Sequence, residues 1–517
     1  MKKLLLFFTL SVSFLANAQS ITWQKNLGGS ANDAGNDIKQ TADGGYIVVG
    51  YTSSSTNGDV SAPSKGSQDG WVIKLNATGG IVWEKNIGGA GNDTLASVQQ
   101  TADGGYIIGG YTESSASGDV TGTNNGTRDS WVVKLNATGT IVWQKNYGGS
   151  DWDDINSIEQ TADGGYIFIG STLSSASGDV TGIKKGNYDM WVVKLNSSGN
   201  ITWQKNLGGT QSDLGYIAKQ TADGGYYIGG YTLSSASNDV TGVNNGAQDA
   251  WLLKLDSSGN TVWQKNYGGS GNESFYGIQL MSDGGCVLAG FTGSSVSGDV
   301  SGTSKGNNDV WVLRLSSTGS ILWEKNYGGA GLDIAYTVQQ TTDGGFIVGG
   351  YSTSTNSGDM TGVGKGSHDA WLLNLNSNGN LIWEKNFGGS GIDYSRNLQQ
   401  TSNGGFIFTG PTASSSNGDV ADASKGGYDF WVVKIDTSNL STANSEIKTI
   451  DIYPNPTSAY FSVNGIQQKT KIEVVDMTGK VVLATSITNG SSINIEHLSK
   501  GVYLVKINGQ SLKLIKQ

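Results

Sequence analysis

A carboxylate stands at the same place in every sixty residues of this chain: Asp33, Asp93, Asp153, Asp213, Glu273, Asp333 and Asp393. Hard oxygen ligands of this kind suit Ca2+, so the seven are candidate metal ligands, or an acidic face for cationic partners. The alternative is that each caps its own loop by accepting backbone N–H bonds, and presence in all seven copies suits that scaffold role. The same two readings apply to the Gly-Asp loop carboxylates (Asp59, Asp119 and their equivalents). Differences between copies say more about ligands, because a specific ligand rarely has seven-fold symmetry. One position reads Asn36, Ala96, Asn156, Tyr216, Tyr276, Tyr336, Arg396 in successive copies. Three neighbouring tyrosines followed by an arginine, with Tyr394 and Trp152 nearby in their own copies, form a candidate ligand-binding set. Tyrosine and arginine are the usual anchors of recognition surfaces. The competing reading is packing: the position shares strand parity with the apolar Ile38, Val98 and Ile158.

Composition excludes other chemistries. Two histidines, His368 and His497, and one cysteine, Cys286, leave no multi-His zinc site, thiolate cluster or disulfide framework. A formal net charge of −10 disfavours nucleic acid as a partner. Carboxylates and tyrosines could serve a glycoside hydrolase or lyase, but that chemistry needs one distinctive carboxylate pair. Asp151, Asp153 and Asp154 around Trp152 form the one acid-dense spot, which a solvated loop explains.

The elements that position these residues are written seven times. Trp-Gln/Glu-Lys-Asn-x-Gly-Gly begins at Trp23, Trp83, Trp143, Trp203, Trp263, Trp323 and Trp383, and a second tryptophan recurs from Trp71 to Trp431. Trp152 is the one tryptophan outside this pattern. A strict period of this length marks a repeat fold. In the second unit the pattern predicts strands a (Ala96–Gln100), b (Tyr106–Tyr111), c (Trp131–Leu135) and d (Ile141–Trp143), joined by Gly-rich turns and by one long polar b–c loop. Strands b and d are nearly continuously apolar, which implies burial on both faces. Such sheets stacked in series predict an all-β, seven-bladed β-propeller over residues 19–436. The phase of the chain adds a closure: it opens with a strand d (Ile21–Trp23) and its last unit stops after a strand c (Phe430–Ile435). Pairing of those two would complete the seventh blade. In such a ring the b–c and d–a loops share one face, where the candidate ligand residues lie.

The runs Trp-x-Lys-Asn-x-Gly-Gly, Asp-Gly-Gly-Tyr-Ile-x-x-Gly-Tyr-Thr and Asp-x-Trp-Val-x-Lys-Leu resemble the bacterial seven-bladed β-propeller repeat family. Thr78-Gly79 to Trp83 is also similar to the tryptophan-docking turn of quinoprotein propellers, without a cofactor site. Beyond the Ca2+ expectation no cofactor is read.

Both ends of the chain carry addresses. Met1–Ala18 has a basic start, an apolar run and a small-x-small site, as a signal peptide does. No later segment reads as a transmembrane span. Residues 437–447 read as a Ser/Thr/Asn-rich linker, and 448–517 as a small immunoglobulin-like β-sandwich. Its motifs are Tyr453-Pro454-Asn455-Pro456, a turn at Gly479, Gly501-Val502-Tyr503, and Lys513 to Lys516. They resemble the type A C-terminal sorting domain of the type IX secretion system. That resemblance implies the type IX machinery as a partner, and a place outside the cell or on the outer face of a Gram-negative outer membrane. The expectation is a monomeric propeller that binds or adheres to glycan or protein through its long-loop face. An extracellular carbohydrate-active enzyme and a purely structural surface component are the alternatives.

Overall fold

Each repeat folds into an antiparallel four-stranded sheet because its apolar runs are the right length for strands and its glycines allow tight reversals. In the computed structural model, blade one runs a (Asp33–Gln40), b (Tyr46–Thr52), c (Asp69–Leu75) and d (Ile81–Ile87), paired in that order. The structure describes residues 20–436, 451–464, 469–488, 490–507 and 510–517; the expected leader and linker lie outside the described residues. Two compact units result, one up to residue 438 and one from 439, and each is described by itself.

The strands are longer than the apolar pattern predicts. Strand a of blade two starts at Asp93 and strand d runs on to Tyr147. Polar residues such as Gln144, Lys145 and Asn146 continue the ladder because d is the outer edge, where alternate side chains meet water. Burial of d on both faces is therefore corrected: Val82 is 59% exposed in blade one, whereas c is buried along its whole length. Strand c, with its wholly buried tryptophan, is the element sandwiched between neighbouring sheets.

Seven such sheets form the first unit. The last consists of Asn397–Gln400, Phe406–Thr412 and Asp429–Asp436, with Ser20–Leu27 as its outer strand. Ser20 pairs with Asp436 and Leu27 with Phe430, so the first described strand closes the final blade. Ile38, Val48 and Trp71 of blade one share a core cluster with Ile407, Phe430 and Val432 of blade seven. Each remaining cluster of this unit likewise draws on consecutive blades; Ile47, Val49 and Val72 pack with Val98, Ile108 and Trp131.

Ion pairs reinforce the stacking on one face and the individual blades on the other. On the long-loop face, Lys65 pairs with Asp119 of the next blade (3.0 Å), Lys365 with Asp419 (2.8 Å), and Lys425 with Asp59 across the closure (2.8 Å). On the opposite face, Lys74 pairs with Asp43 within its blade (2.9 Å). The exposed Asp43 carboxylate is held down at about 2 by the Thr41 hydroxyl and Lys74.

Six outer tryptophans, Trp23, Trp83, Trp143, Trp203, Trp263 and Trp323, dock on the c–d turn of the next blade. Trp143 lies against Gly199, which has φ +74°, and a Cβ there would sit 2.9 Å from the indole. Only glycine fits both the left-handed backbone and the ring. Gly199→Ala is expected to cost ~2 kcal/mol or more, read as a lower denaturation midpoint with unchanged m-value.

The second unit contains a three-stranded sheet (Asp451–Tyr453, Tyr460–Asn464, Ser492–Asn494) and a four-stranded one (Thr470–Asp476, Val481–Ile487, Gly501–Ile507, Gln510–Lys516). Phe461, Val463, Ile472, Val474, Tyr503 and Val505 share its core. The separated sequence motifs meet here. Asn455 donates to the Lys513 carbonyl (2.6 Å) and accepts from the Ile515 N–H (2.9 Å). Gly501 pairs with Lys516, whose ammonium donates to the Ser458 carbonyl. The Tyr503 hydroxyl donates to the Ser499 carbonyl (2.7 Å), and Gly479 forms its turn at φ +87°. Tyr453 is exposed, as is Val502.

Candidate ligand-binding site

The innermost strands surround a polar channel, and a cavity of about 910 Å3 opens along it. Its walls include Asn36, Ala96, Asn156, Tyr216, Tyr276, Tyr336 and Arg396, the variable position singled out in the sequence. A backbone irregularity puts them there. Gly35 pairs with Gly50 but Asp37 with Val49, so residue 36 is an extra residue in the ladder. The same shift occurs around Ala96, Tyr216, Tyr276 and Tyr336. A bulge breaks the two-residue alternation, so parity with Ile38 does not carry across it. The side chains therefore line the channel while Ile38 stays between blades. Packing retains a share, since Asn36 and Asn156 donate across to the carbonyls of Leu95 (2.9 Å) and Gly215 (2.8 Å) in the next blades.

The tyrosines make a continuous arc. Tyr216 meets Tyr276 at 4.8 Å between ring centroids, and Tyr276 meets Tyr336 at 5.4 Å. The Arg396 guanidinium lies 4.7 Å from the Tyr336 ring and 5.3 Å from that of Tyr394. Tyr394 continues into Tyr351 (4.5 Å), with His368 against both rings. Burial raises the phenol of Tyr276 to about 12 and that of Tyr216 further, so both are neutral donors at physiological pH.

Trp152 does not join this arc. It is 41% exposed and covers one face of Arg128, whose guanidinium is 4.1 Å from the indole and 3.8 Å from the Tyr111 ring. Glu113 holds the same guanidinium at 2.7 Å. The long-loop face thus carries two distinct aromatic clusters. Each reaches one blade whose inner strand starts late: Trp152 precedes the strand beginning at Ser157, and Tyr394 and Arg396 precede the one beginning at Asn397.

The acid-dense spot is not a solvated loop. Asp153 is fully buried, and Asp154 lines the cavity with one oxygen accepting from the Ser171 N–H (2.9 Å). Burial raises Asp154 to about 6, opposed by the Ser171 bond and by Arg128. A raised acid favours folding while protonated; that contribution is complete below about pH 4 and is lost as pH rises through 6. Asp154→Asn keeps the acceptor and cannot ionise. It is expected to stabilise the fold by up to ~3 kcal/mol at pH 7.5 and negligibly at pH 4. Denaturant unfolding at the two pH values measures this, and equal gains would contradict it.

The repeated carboxylates are engaged as loop caps. Asp33 accepts from the Gly29 N–H (2.7 Å), the Ser54 hydroxyl (2.9 Å) and the Thr52 hydroxyl. Asp93, Asp153, Asp213, Asp333 and Asp393 repeat this pattern, and Glu273 reaches the equivalent donors through its longer stem. A cation would have to displace these donors. Among the described residues no group of three or more His, Cys, Asp or Glu is placed to hold a metal ion. Cys286 is buried, and desolvation pushes its thiol to about 12.

Arg128 and Tyr351 escape the sequence reading, and Asp154 enters it only as part of a solvated loop, because variation between copies is compared at the column of residue 36 alone. The signal was present: the column through Asp154 reads Ala34, Thr94, Asp154, Leu214, Ser274, Ile334, Tyr394.

Comparisons with known proteins add an address. Residues 451–517 match the secretion system C-terminal sorting domain. Over 347 residues, 60% of this chain, the sequence is 24% identical to the regulatory protein FlaEY of Caulobacter vibrioides. The chain spans about a third or less of the length of the curated relatives it matches, 35% and 18%. Among solved structures, BamB of Moraxella catarrhalis is similar at 14% identity and TM-score 0.34, over 97% of this chain and 100% of that one. PorZ of Porphyromonas gingivalis, a surface component of the type IX secretion system, is similar at 11% identity and TM-score 0.40, over 97% and 61%. Among the described residues no helix is long and apolar enough to cross a membrane. The chain is a propeller-like repeat protein that carries the sorting domain of a type IX secretion cargo.

Proposed function

We propose that the propeller, residues 19–436, is the binding head of a surface-displayed protein, and that it takes glycan or protein at the channel mouth on its long-loop face. Residues 437–447 tether it to the sorting domain, residues 448–517. The observation that carries this reading is the arc of Tyr216, Tyr276 and Tyr336 ending on Arg396 at the rim of the cavity. Aromatic faces and a preordered guanidinium on a rigid ring are the equipment of a recognition site. Carboxylate-pair hydrolysis is less well supported. The other acids lining the cavity are already paired, Asp37 with Lys39 (2.6 Å) and Glu159 with Lys219 (2.9 Å), which leaves Asp154 without a second free carboxylate. The test is a glycan and surface-protein binding screen of the purified protein, with and without calcium. Saturable binding that competes at one site supports the reading. Turnover of a polysaccharide lost with Asp154→Asn would favour the enzyme instead.

A further inference from the structure

The charges around the cavity are unevenly balanced. Lys39 and Lys219 line it but are neutralised by Asp37 and Glu159. Arg396 lines it, is exposed, and makes no ion pair among the described residues. Its guanidinium is nevertheless held in place by the rings of Tyr336 and Tyr394. Stacking occupies the faces of a guanidinium and leaves its edge of N–H donors free, and that edge matches a planar carboxylate through two parallel hydrogen bonds.

The rest of the wall is mixed, with Val98, Ile158, Ile278 and Leu398 set among polar side chains. Beside the tyrosines it offers the amide and hydroxyl groups of Asn156, Asn397, Gln339, Gln399 and Thr337. Such a lining satisfies a ligand rich in hydroxyls. At about 910 Å3 the cavity is the size of small-ligand sites, and it is recessed between blades rather than flat, as a folded partner would require. Asp154, beside Tyr216 at the other end of the arc, presents its second carboxyl oxygen to the same space.

We propose that this site takes an acidic saccharide: the carboxylate of a uronic-acid unit pairs with the Arg396 edge, sugar rings lie along Tyr336, Tyr276 and Tyr216, and a hydroxyl of a following unit donates to Asp154. This rests on the channel-mouth reading above and narrows it. The chain as a whole is acidic, at −10, so a dense polyanion is repelled at long range while a single carboxylate still finds Arg396. Preference for an isolated planar charge follows.

The experiment is titration calorimetry of the full chain with three probes: a uronic-acid tetrasaccharide, the same chain with its carboxyls reduced to alcohols, and a sulfated tetrasaccharide. The uronate is expected to bind roughly tenfold tighter than its reduced counterpart. Arg396→Gln should bring the affinities for the acidic and the reduced chain together, and Arg396→Lys should restore only part of the difference because the fork is lost. Arg396 is exposed, so both variants should melt with the parent protein. Equal binding of the acidic and reduced chains, or tighter binding of the sulfated one, overturns the acidic-saccharide inference and leaves a glycan site standing. Binding of none of the three, with a surface protein retained in the screen, overturns it together with the glycan half of the parent reading.

Discussion

Deletion of Ser20–Leu27 is expected to lower the melting temperature by roughly 10 °C or more and to make the protein prone to self-association. This strand makes the largest single contribution to closure. It pairs with Asp429–Asp436 along its length. The Gln24 side chain accepts from the Trp431 indole N–H (2.9 Å) and donates to the Asp419 carbonyl (2.6 Å), and Lys425 donates to the Asn26 carbonyl. Trp23 packs edge-on against Tyr46 of blade one at 5.8 Å and covers Gly79, so the strand also joins blade seven to blade one. Its removal would uncover a fully buried strand c and present an unpaired edge, a template for other chains. Burial of Trp23 and Leu27 alone is worth on the order of 5 kcal/mol. Scanning calorimetry together with light scattering measures both effects. An unchanged melt would show that the ring does not depend on this clasp.

Closure was legible in the sequence because phase is arithmetic: a chain that opens on strand d and ends its repeats on strand c leaves two partners for each other. The buried tryptophans and the long b–c loop from Ser53 to Gln68 were equally legible, since the strands fall on either side of it. Strand ends were not. Whether Gln144 or Asn146 continues a ladder depends on a neighbouring strand that offers backbone partners, and no local preference encodes that. The bulge at residue 36 escaped for the same reason. It inverts the facing of Tyr216, Tyr276 and Tyr336 relative to Ile38, so the strand parity that argued for packing does not hold at that position. Charge state escaped as well: Asp153 and Asp154 are adjacent in sequence, yet one is locked into a loop and the other faces a cavity. The separation of Trp152 from the tyrosine arc is a three-dimensional fact of the same kind, because both belong to the long-loop face and only their blades' relative placement decides which rings touch.

Simultaneous replacement of Tyr216, Tyr276 and Tyr336 by alanine is expected to abolish ligand binding, by roughly a hundredfold or more, while the ring still folds. The three rings are half-buried and pack chiefly on one another and on Tyr231, Phe291 and Tyr351. Each ring contact of this kind contributes ~0.5–1.5 kcal/mol beyond area. Their loss lowers the melting temperature by several degrees without opening any blade, because the inter-blade clusters are built from buried residues such as Ile217, Ala218, Phe275 and Val338, with Tyr216 packed only at the edge of one of them. Binding behaves differently. The arc is the surface a ligand would lie along, and it also fixes Arg396, which without the Tyr336 ring is stacked on Tyr394 alone. One substitution set thus removes both the platform and the order of the cation. Circular dichroism melts and the binding titration, run on the same preparation, separate the two roles. A cooperative melt near that of the parent with binding lost assigns the tyrosines to recognition. Collapse of the melt would assign them to packing, the reading in which the arc is merely the inner lining of the ring.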